Sequence, residues 1–192
     1  LNAAYQILLT SIPENANELV NVGTLVSQLN TGITDLDSAN DHGIAIVGAD
    51  TDNGYWTVNL NNGWYTLPTV SETAMTLLAS NARLRFIPNQ DFDGRADITF
   101  RAWDGTFSYS GNTYVNPKAL GGESAFSLAT DTASIYVTNV NDAPISDDIA
   151  ITTDEDIPFD GLLTGSDPDG DTTLTYTIVD QPNNGEVIIT ND

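Results

Sequence analysis

Apolar and polar residues alternate strictly along several short stretches of the chain, the period of a β-strand with one buried face. In the segment RLRF, Leu84 and Phe86 are predicted to point into a core, whereas Arg83 and Arg85 are predicted to point outward. By the same reasoning, strands are expected at 55–60, 83–86, 95–103 and 132–138, and further strands near 5–9, 19–26 and 44–48.

Turn-forming pairs such as Asn53-Gly54 and Asp93-Gly94 separate these stretches. One segment, SETAMTLLAS at 71–80, has the spacing of a short helix, with Ser71 as its N-cap. Residues 107–128 are expected to form a long loop or a loose hairpin. About seven strands joined by turns predict an all-β fold, an Ig-like antiparallel β-sandwich with Greek-key connections.

The chain after Pro144 differs from what precedes it. Residues 145–192 hold 12 acidic residues and no Lys or Arg, and strand-like alternation returns at 174–179 and 186–191. The order of motifs resembles the first half of the preceding module, and a core this small is marginal. We therefore predict a module at 1–143 and a partial second β module at 144–192, which is mobile or pairs its strands with another chain.

The charge balance restricts the classes of partner. The 192 residues include 27 Asp and Glu against 5 Lys and Arg, a formal net charge of -22. Phosphate binding needs a basic surface, so a nucleic-acid partner is excluded and an anionic membrane is disfavoured. No apolar run is long enough to span a membrane. Cations are the ligands that such a chain attracts, although dispersed acids can also serve solubility alone.

The chain has no Cys, and His42 is its only histidine. Thiolate metal sites, zinc sites built on several histidines and disulfides are thereby excluded. A catalytic triad would have one candidate base, and no nucleophile-elbow motif accompanies it. No pair of carboxyl groups lies in an apolar setting that would raise one pKa. The sequence therefore predicts that the protein is not an enzyme.

The acidic motifs point to a hard cation held by separated segments. The stretch Asp167-Pro-Asp-Gly-Asp fails as an EF-hand, because Thr172 stands where glycine is required and Ile178 where glutamate is required. Oxygen ligands must then converge from distant parts of the chain, or each Asp simply serves its own turn. The candidates at one junction between modules are Glu14, Asp91 or Asp93, Asn139, Asn141, Asp142, Asp167 and Asp169.

Three motifs carry a family resemblance: RLRFIPNQDFDGRADITFRAWDGT, VTNVNDAP, and DEDIPFDGLLTGSDPDGD. They resemble the cadherin-like tandem modules of giant bacterial surface adhesins, the RTX-adhesin type of repeat that ends in VNDAP. The resemblance implies Ca²⁺ at module junctions, bound by the candidates above. It also implies that Asp35, Asp37 and Asp104 face a preceding module. Asn139 stands where the family has Asp, and Asp91 and Asp93 lack the usual Asp-Arg-Glu form.

The resemblance implies a structural role outside the cell. We expect a calcium-stiffened extender module of a large bacterial cell-surface adhesin, which holds a distal binding tip away from the cell in adhesion and biofilm formation. Its partners would be the neighbouring modules of the same chain. The alternative is a carbohydrate-binding or other ligand-binding module of the same protein, which would use exposed aromatic residues. The aromatic candidates are Trp64, Tyr65, Trp103, Tyr109 and Tyr114.

One further alternative concerns the peptide bond between Asp167 and Pro168. Some large exported proteins cleave themselves at Asp-Pro after calcium binds. The simpler interpretation is that these residues form a calcium-binding turn, and it is the one we favour.

Overall fold

The computed structural model describes residues 7–30, 33, 42–106 and 114–190. The chain divides into two units, residues 1–139 and 140–192. The first unit contains the strands β1 (Ile7–Leu8), β2 (Ile12–Pro13), β3 (Thr24–Leu25), β4 (Gly43–Ala49), β5 (Gly54–Asn59), β6 (Trp64–Thr66), β7 (Met75–Leu78), β8 (Arg83–Pro88), β9 (Gly94–Trp103), β10 (Tyr114–Val115) and β11 (Phe126–Thr138). The second contains β12 (Ile145–Ser146) and β13 (Gly165–Ser166).

The first unit is a β-sandwich, as the alternation predicts. One sheet has the order β1-β11-β9-β4-β7-β10, with β2 also paired to β11, and the opposing sheet has the order β3-β8-β5-β6. Most pairs are antiparallel, but β1 and β2 run parallel to β11. Neighbours in the sheets are rarely neighbours in sequence, which is the mark of Greek-key connections. The prediction of an all-β sandwich is confirmed.

The main core fills the space between the two sheets. Trp56 and Phe86 from one sheet are in contact, with ring centroids 5.1 Å apart. Ile98 and Phe100 of the other sheet have no exposed surface. These residues occupy the apolar positions of the alternating stretches, so the sequence period identifies the buried face correctly.

Residues 75–78 form a strand, and the predicted helix at 71–80 is wrong. All four residues of β7 are buried, because both faces of the sheet are covered there. Leu78 belongs to the main core, whereas Met75 and Leu77 belong to a second cluster that includes Val115 and Phe126. A strand that is buried on both faces reads as a continuous apolar run, which periodicity alone does not distinguish from a buried helix.

Arg85 is buried, although the alternation correctly places its side chain on the face of β8 opposite to Leu84. The segment at 16–23, called the strap below, supplies its partners. Nη1 of Arg85 donates to the carbonyl oxygens of Glu18 and Asn21 at 2.6 and 3.0 Å. The guanidinium carbon lies 4.0 Å from the ring centroid of Trp64. These contacts cover a face that local sequence pattern assigns to solvent.

The second unit has little regular structure among its described residues. Strands β12 and β13 pair antiparallel over two residues each. None of its described hydrophobic side chains belongs to a buried core, and Leu162 and Val179 are 79% and 89% exposed. The alternating stretches at 174–179 and 186–191 form no strand over the residues described. Whether this unit is the front half of a larger module stays a prediction.

Regular helix is confined to one turn of 3-10 helix at Val26–Gln28 in the described parts of the chain. No helix there is long and apolar enough to cross a membrane.

Candidate metal site

Three acidic residues of the second unit come together because two short strands pair. Ile145 of β12 lies opposite Ser166 of β13 in an antiparallel register. Asp142 precedes β12 and Asp167 follows β13, so the antiparallel pairing carries both to the same end of the ladder. Asp142 also meets Asp169, which lies 27 positions later in the sequence. The N–H of Asp142 donates a hydrogen bond of 2.6 Å to Oδ2 of Asp169.

A tight turn arranges the two later acids. The N–H of Asp169 donates to Oδ1 of Asp167 at 2.9 Å, and the N–H of Gly170 donates to the backbone oxygen of Asp167 at 3.0 Å. Gly170 has a φ of +78°, a conformation that favours glycine. The metal hypothesis does not single out Gly170, but the sequence Asp-Pro-Asp-Gly is a recognisable turn signal.

The carboxylates of Asp142 and Asp169 each bring an oxygen atom to within 4.8 Å of the other. Two negative charges at that distance repel by on the order of 1 kcal/mol even in water. The N–H of Asp142 donates to Asp169 and offsets part of this repulsion. A cation between the two carboxylates would remove it, since both side chains are only partly buried and remain accessible.

The donor set fits Ca²⁺ better than a transition metal. Asp142, Asp167 and Asp169 supply only carboxylate oxygens, which are the ligands of hard cations. Asn141 donates its Nδ2 to the backbone oxygen of Asp142 at 2.8 Å, so Oδ1 is the atom that would bind a metal. Calcium takes six to eight oxygens. These residues and water would therefore form an incomplete shell, and the further ligands expected from sequence stay predictions.

The first unit gathers its own set of predicted ligands at one end. The N–H of Glu14 donates to the backbone oxygen of Thr138 at 3.0 Å. Gly94 pairs with Val137, so Asp93 and Asn139 lie at the same end of the sheet as Glu14. The register thus places residues from the start, middle and end of the first unit at one end of its sheet. Their role as metal ligands stays a prediction.

Asp91 lies in the turn before this edge. It is exposed, has a φ of +56°, and accepts a hydrogen bond from Nε2 of Gln90 at 3.2 Å. Asp93 is also exposed.

Asp104 lies at the opposite end of β9 from Gly94. That it faces a preceding module stays a prediction. Its Oδ1 accepts hydrogen bonds from the N–H and the hydroxyl of Thr106 at 2.8 and 2.7 Å. These contacts also satisfy the alternative in which Asp104 serves its own turn. The other two predicted residues of that end, Asp35 and Asp37, lie outside the described residues.

One carboxylate near the predicted junction is paired with a base. Nε and Nη2 of Arg95 donate to the two carboxylate oxygens of Asp97 at 2.7 and 2.6 Å. Burial alone would raise the pKa of Asp97, but the hydrogen bonds from Arg95 and Ser134 outweigh it, and the pKa lies below its usual value. Asp97 is therefore an ion-pair residue rather than a metal ligand.

The aromatic residues give little support to a sugar-binding surface. Trp103 is only 6% exposed and packs in the second apolar cluster, so its predicted exposure is wrong. Trp64 is half-buried beneath Arg85. Tyr65 is 49% exposed, as predicted. Tyr109 and the side chain of Tyr114 lie outside what the structure describes.

Comparison with known proteins supports one part of this picture. Residues 141–192 match the family model of the bacterial Ig domain. No curated protein and no solved structure matches the chain. The match fits an Ig-like module of surface proteins, a class that is typically non-enzymatic. The match begins at residue 141, one residue after the start of the second unit.

Proposed function

We propose that the chain is a calcium-stiffened extender segment of a large bacterial cell-surface adhesin, built from cadherin-like modules. The observation that carries this proposal is the approach of the Asp142 and Asp169 carboxylate oxygens to within 4.8 Å, beside a turn in which the Asp169 N–H donates to Asp167. The bacterial Ig domain match at 141–192 supports a surface-protein context. The role of the protein would be mechanical, and it would hold a distal binding tip away from the cell.

The position of the acids explains how calcium would stiffen the chain. Asp142 lies in the short segment between the end of β11 and the start of β12. Binding of Asp142 together with the turn at 167–170 would fix that segment to the second unit and remove its freedom to rotate. The sequence expectation adds Glu14 and Asn139 as ligands from the first unit, which would complete a clamp across the junction.

The experiment is small-angle X-ray scattering of the whole chain in millimolar calcium and in EDTA. We expect calcium to narrow the distribution of interdomain distances. Asp142→Ala removes one carboxylate but keeps the backbone N–H that donates to Asp169. This variant should retain its β-sheet circular dichroism and show the broad distribution even in calcium.

Asp148→Ala is the matched control, because Asp148 is exposed in the same unit and away from the cluster. It should behave like the unmodified chain. Identical scattering of the unmodified chain with and without calcium would contradict the proposal. Global unfolding of Asp142→Ala would show that the residue supports a core rather than a joint.

The alternative of a glycan-binding module would rest on the remaining exposed tyrosines. Trp103 is buried and Trp64 is engaged by Arg85, so the described surface offers no large stacking platform. We therefore favour the structural role.

A further inference from the structure

A turn in the second unit is closed at its base but open at its tip. Nε2 of Gln181 donates to the backbone oxygen of Val187, and the N–H of Val187 donates to Oε1 of Gln181, both at 2.9 Å. These two bonds bracket an exposed turn that contains Asn184 and Gly185. The side chain of Gln181 therefore holds the ends of the turn together, while the tip makes few contacts.

The space beside the Cα of Gly185 where a side chain would start is empty. A Cβ atom at this position would meet no heavy atom within 4 Å, and φ is +156°. The Gly185 N–H takes part in none of the hydrogen bonds among the described residues. Among the described residues, no hydrogen bond holds the peptide nitrogen of Gly185 away from the side chain of Asn184.

Two other Asn-Gly pairs provide internal comparisons. At Gly54, a Cβ atom would lie 2.4 Å from both the Ile87 carbonyl oxygen and the Phe86 ring, and the preceding Asn53 accepts a hydrogen bond from the Asn89 N–H at 2.9 Å. This pair is clamped against strand β8.

The pair Asn62-Gly63 is intermediate. The N–H of Gly63 is 3.4 Å from Oδ1 of Asn59, and a Cβ atom on Gly63 would come within 4.0 Å of the Tyr65 hydroxyl alone. Both residues are exposed. A long hydrogen bond of this kind restrains the peptide nitrogen weakly.

We propose that Asn184 is a site of spontaneous deamidation, and that the three Asn-Gly pairs react in the order Asn184, Asn62, Asn53. The peptide nitrogen of Gly185 loses its proton to hydroxide or to a buffer base and attacks Cγ of Asn184. The new N–Cγ bond forms, the Cγ–Nδ2 bond breaks, and ammonia leaves. Water then opens the cyclic succinimide at either carbonyl to give aspartate or isoaspartate, with no oxidation or reduction.

The modification has a structural consequence in this turn. Isoaspartate routes the main chain through the side chain of residue 184 and adds a methylene group to the backbone. The extra length falls within the loop that Gln181 and Val187 close. We expect both hydrogen bonds to lose their register, and the turn gains a negative charge in a region that has no Lys or Arg.

The test is to incubate the whole folded chain at mildly alkaline pH and to follow each Asn-Gly peptide by mass spectrometry over time. We expect Asn184 to react at least about tenfold faster than Asn53, which corresponds to about 1.4 kcal/mol of local opening free energy at Asn53. In concentrated urea the three rates should converge, because the local structure that distinguishes them is lost.

Asn184→Gln is the control variant, because glutamine closes a less favourable six-membered ring at the same place. It should remove the fast phase of ammonia release and leave Asn62 and Asn53 unchanged. Equal rates at Asn184 and Asn53 in the folded chain would overturn the inference. A folded chain in which Asn184 stays unmodified while Asn62 reacts would overturn it as well.

Discussion

The backbone N–H of Asp142 donates to the carboxylate of Asp169 across 27 residues of sequence, with a nitrogen–oxygen distance of 2.6 Å. The bond connects the segment between β11 and β12 to the turn that follows β13, and it orients one oxygen of Asp169. It also leaves the carboxylate of Asp142 available beside that of Asp169. The segment that contains Asp142 and the turn at 167–170 are thereby held together beside these acidic side chains.

Asp169→Asn should weaken calcium binding while it preserves the turn. The amide Oδ1 can still accept the hydrogen bond from Asp142, but one negative charge of the site is lost. We expect calcium affinity, measured by isothermal titration calorimetry, to fall at least about tenfold, or about 1.4 kcal/mol.

Asp171→Asn is the control for that measurement, because it makes the same chemical change at an exposed residue two positions away. Its affinity should remain close to that of the unmodified chain. An equal loss in both variants would mean that overall charge, and not this cluster, attracts the ion.

Arg85→Ala should release the strap and destabilise the first unit. The substitution removes the buried hydrogen bonds that Arg85 donates to two carbonyl oxygens of the strap and to Oγ1 of Thr57. We expect the free energy of unfolding to fall by about 2–4 kcal/mol in denaturant titrations. Glu18→Gln should cost less than about 1 kcal/mol, since the side chain of Glu18 is 63% exposed. Equal losses would assign the stability to the ion pair instead.

Replacing each of two buried threonines with valine should change the free energy of unfolding in opposite directions. The hydroxyl of Thr76 is fully buried and has no hydrogen-bond partner among the described residues, whereas Oγ1 of Thr57 accepts from Nε of Arg85 at 3.0 Å. Thr76→Val should raise the free energy of unfolding by about 1 kcal/mol, and Thr57→Val should lower it by about 1–2 kcal/mol. Thermal melts decide the sign. Destabilisation by Thr76→Val would show that its hydroxyl is satisfied.

The ion pair of Asp97 should contribute to stability at neutral pH and lose that contribution in acid. Its pKa lies below the ordinary value of 3.8, so the contribution is complete above that value and disappears as the pH falls through the folded pKa. Asp97→Asn should therefore flatten the acid limb of the plot of unfolding free energy against pH. Asp52→Asn makes the same chemical change at an exposed residue with no ion pair among the described residues, and it serves as the control.

Much of the fold follows from local pattern. The period of two in β8 and β9 identifies their core faces. Local pattern works there because apolar residues that pack in the core alternate with polar residues on the other face of each strand. The acidic motifs at 139–142 and 167–171 supply the candidate ligands, whose role as ligands stays a prediction.

The errors occur where distant segments cover a second face. Met75 and Leu77 are buried by the region around Val115 and Phe126, so β7 lost the alternation that marks a strand. Arg85 alternates correctly but is buried by the strap. No local window contains these covering segments. The pairing of Asp142 with Asp169 likewise depends on the register of β12 and β13, which the sequence motif does not encode.

Thermal unfolding of the unmodified chain in EDTA and in millimolar calcium shows directly whether calcium binds to and stabilises the folded protein. Binding to the folded state adds RT ln(1 + [L]/Kd), which is about 2.7 kcal/mol when calcium exceeds Kd a hundredfold. We expect a higher melting temperature in calcium than in EDTA, and a smaller difference in Asp169→Asn. The same melting temperature in both conditions would contradict this expectation.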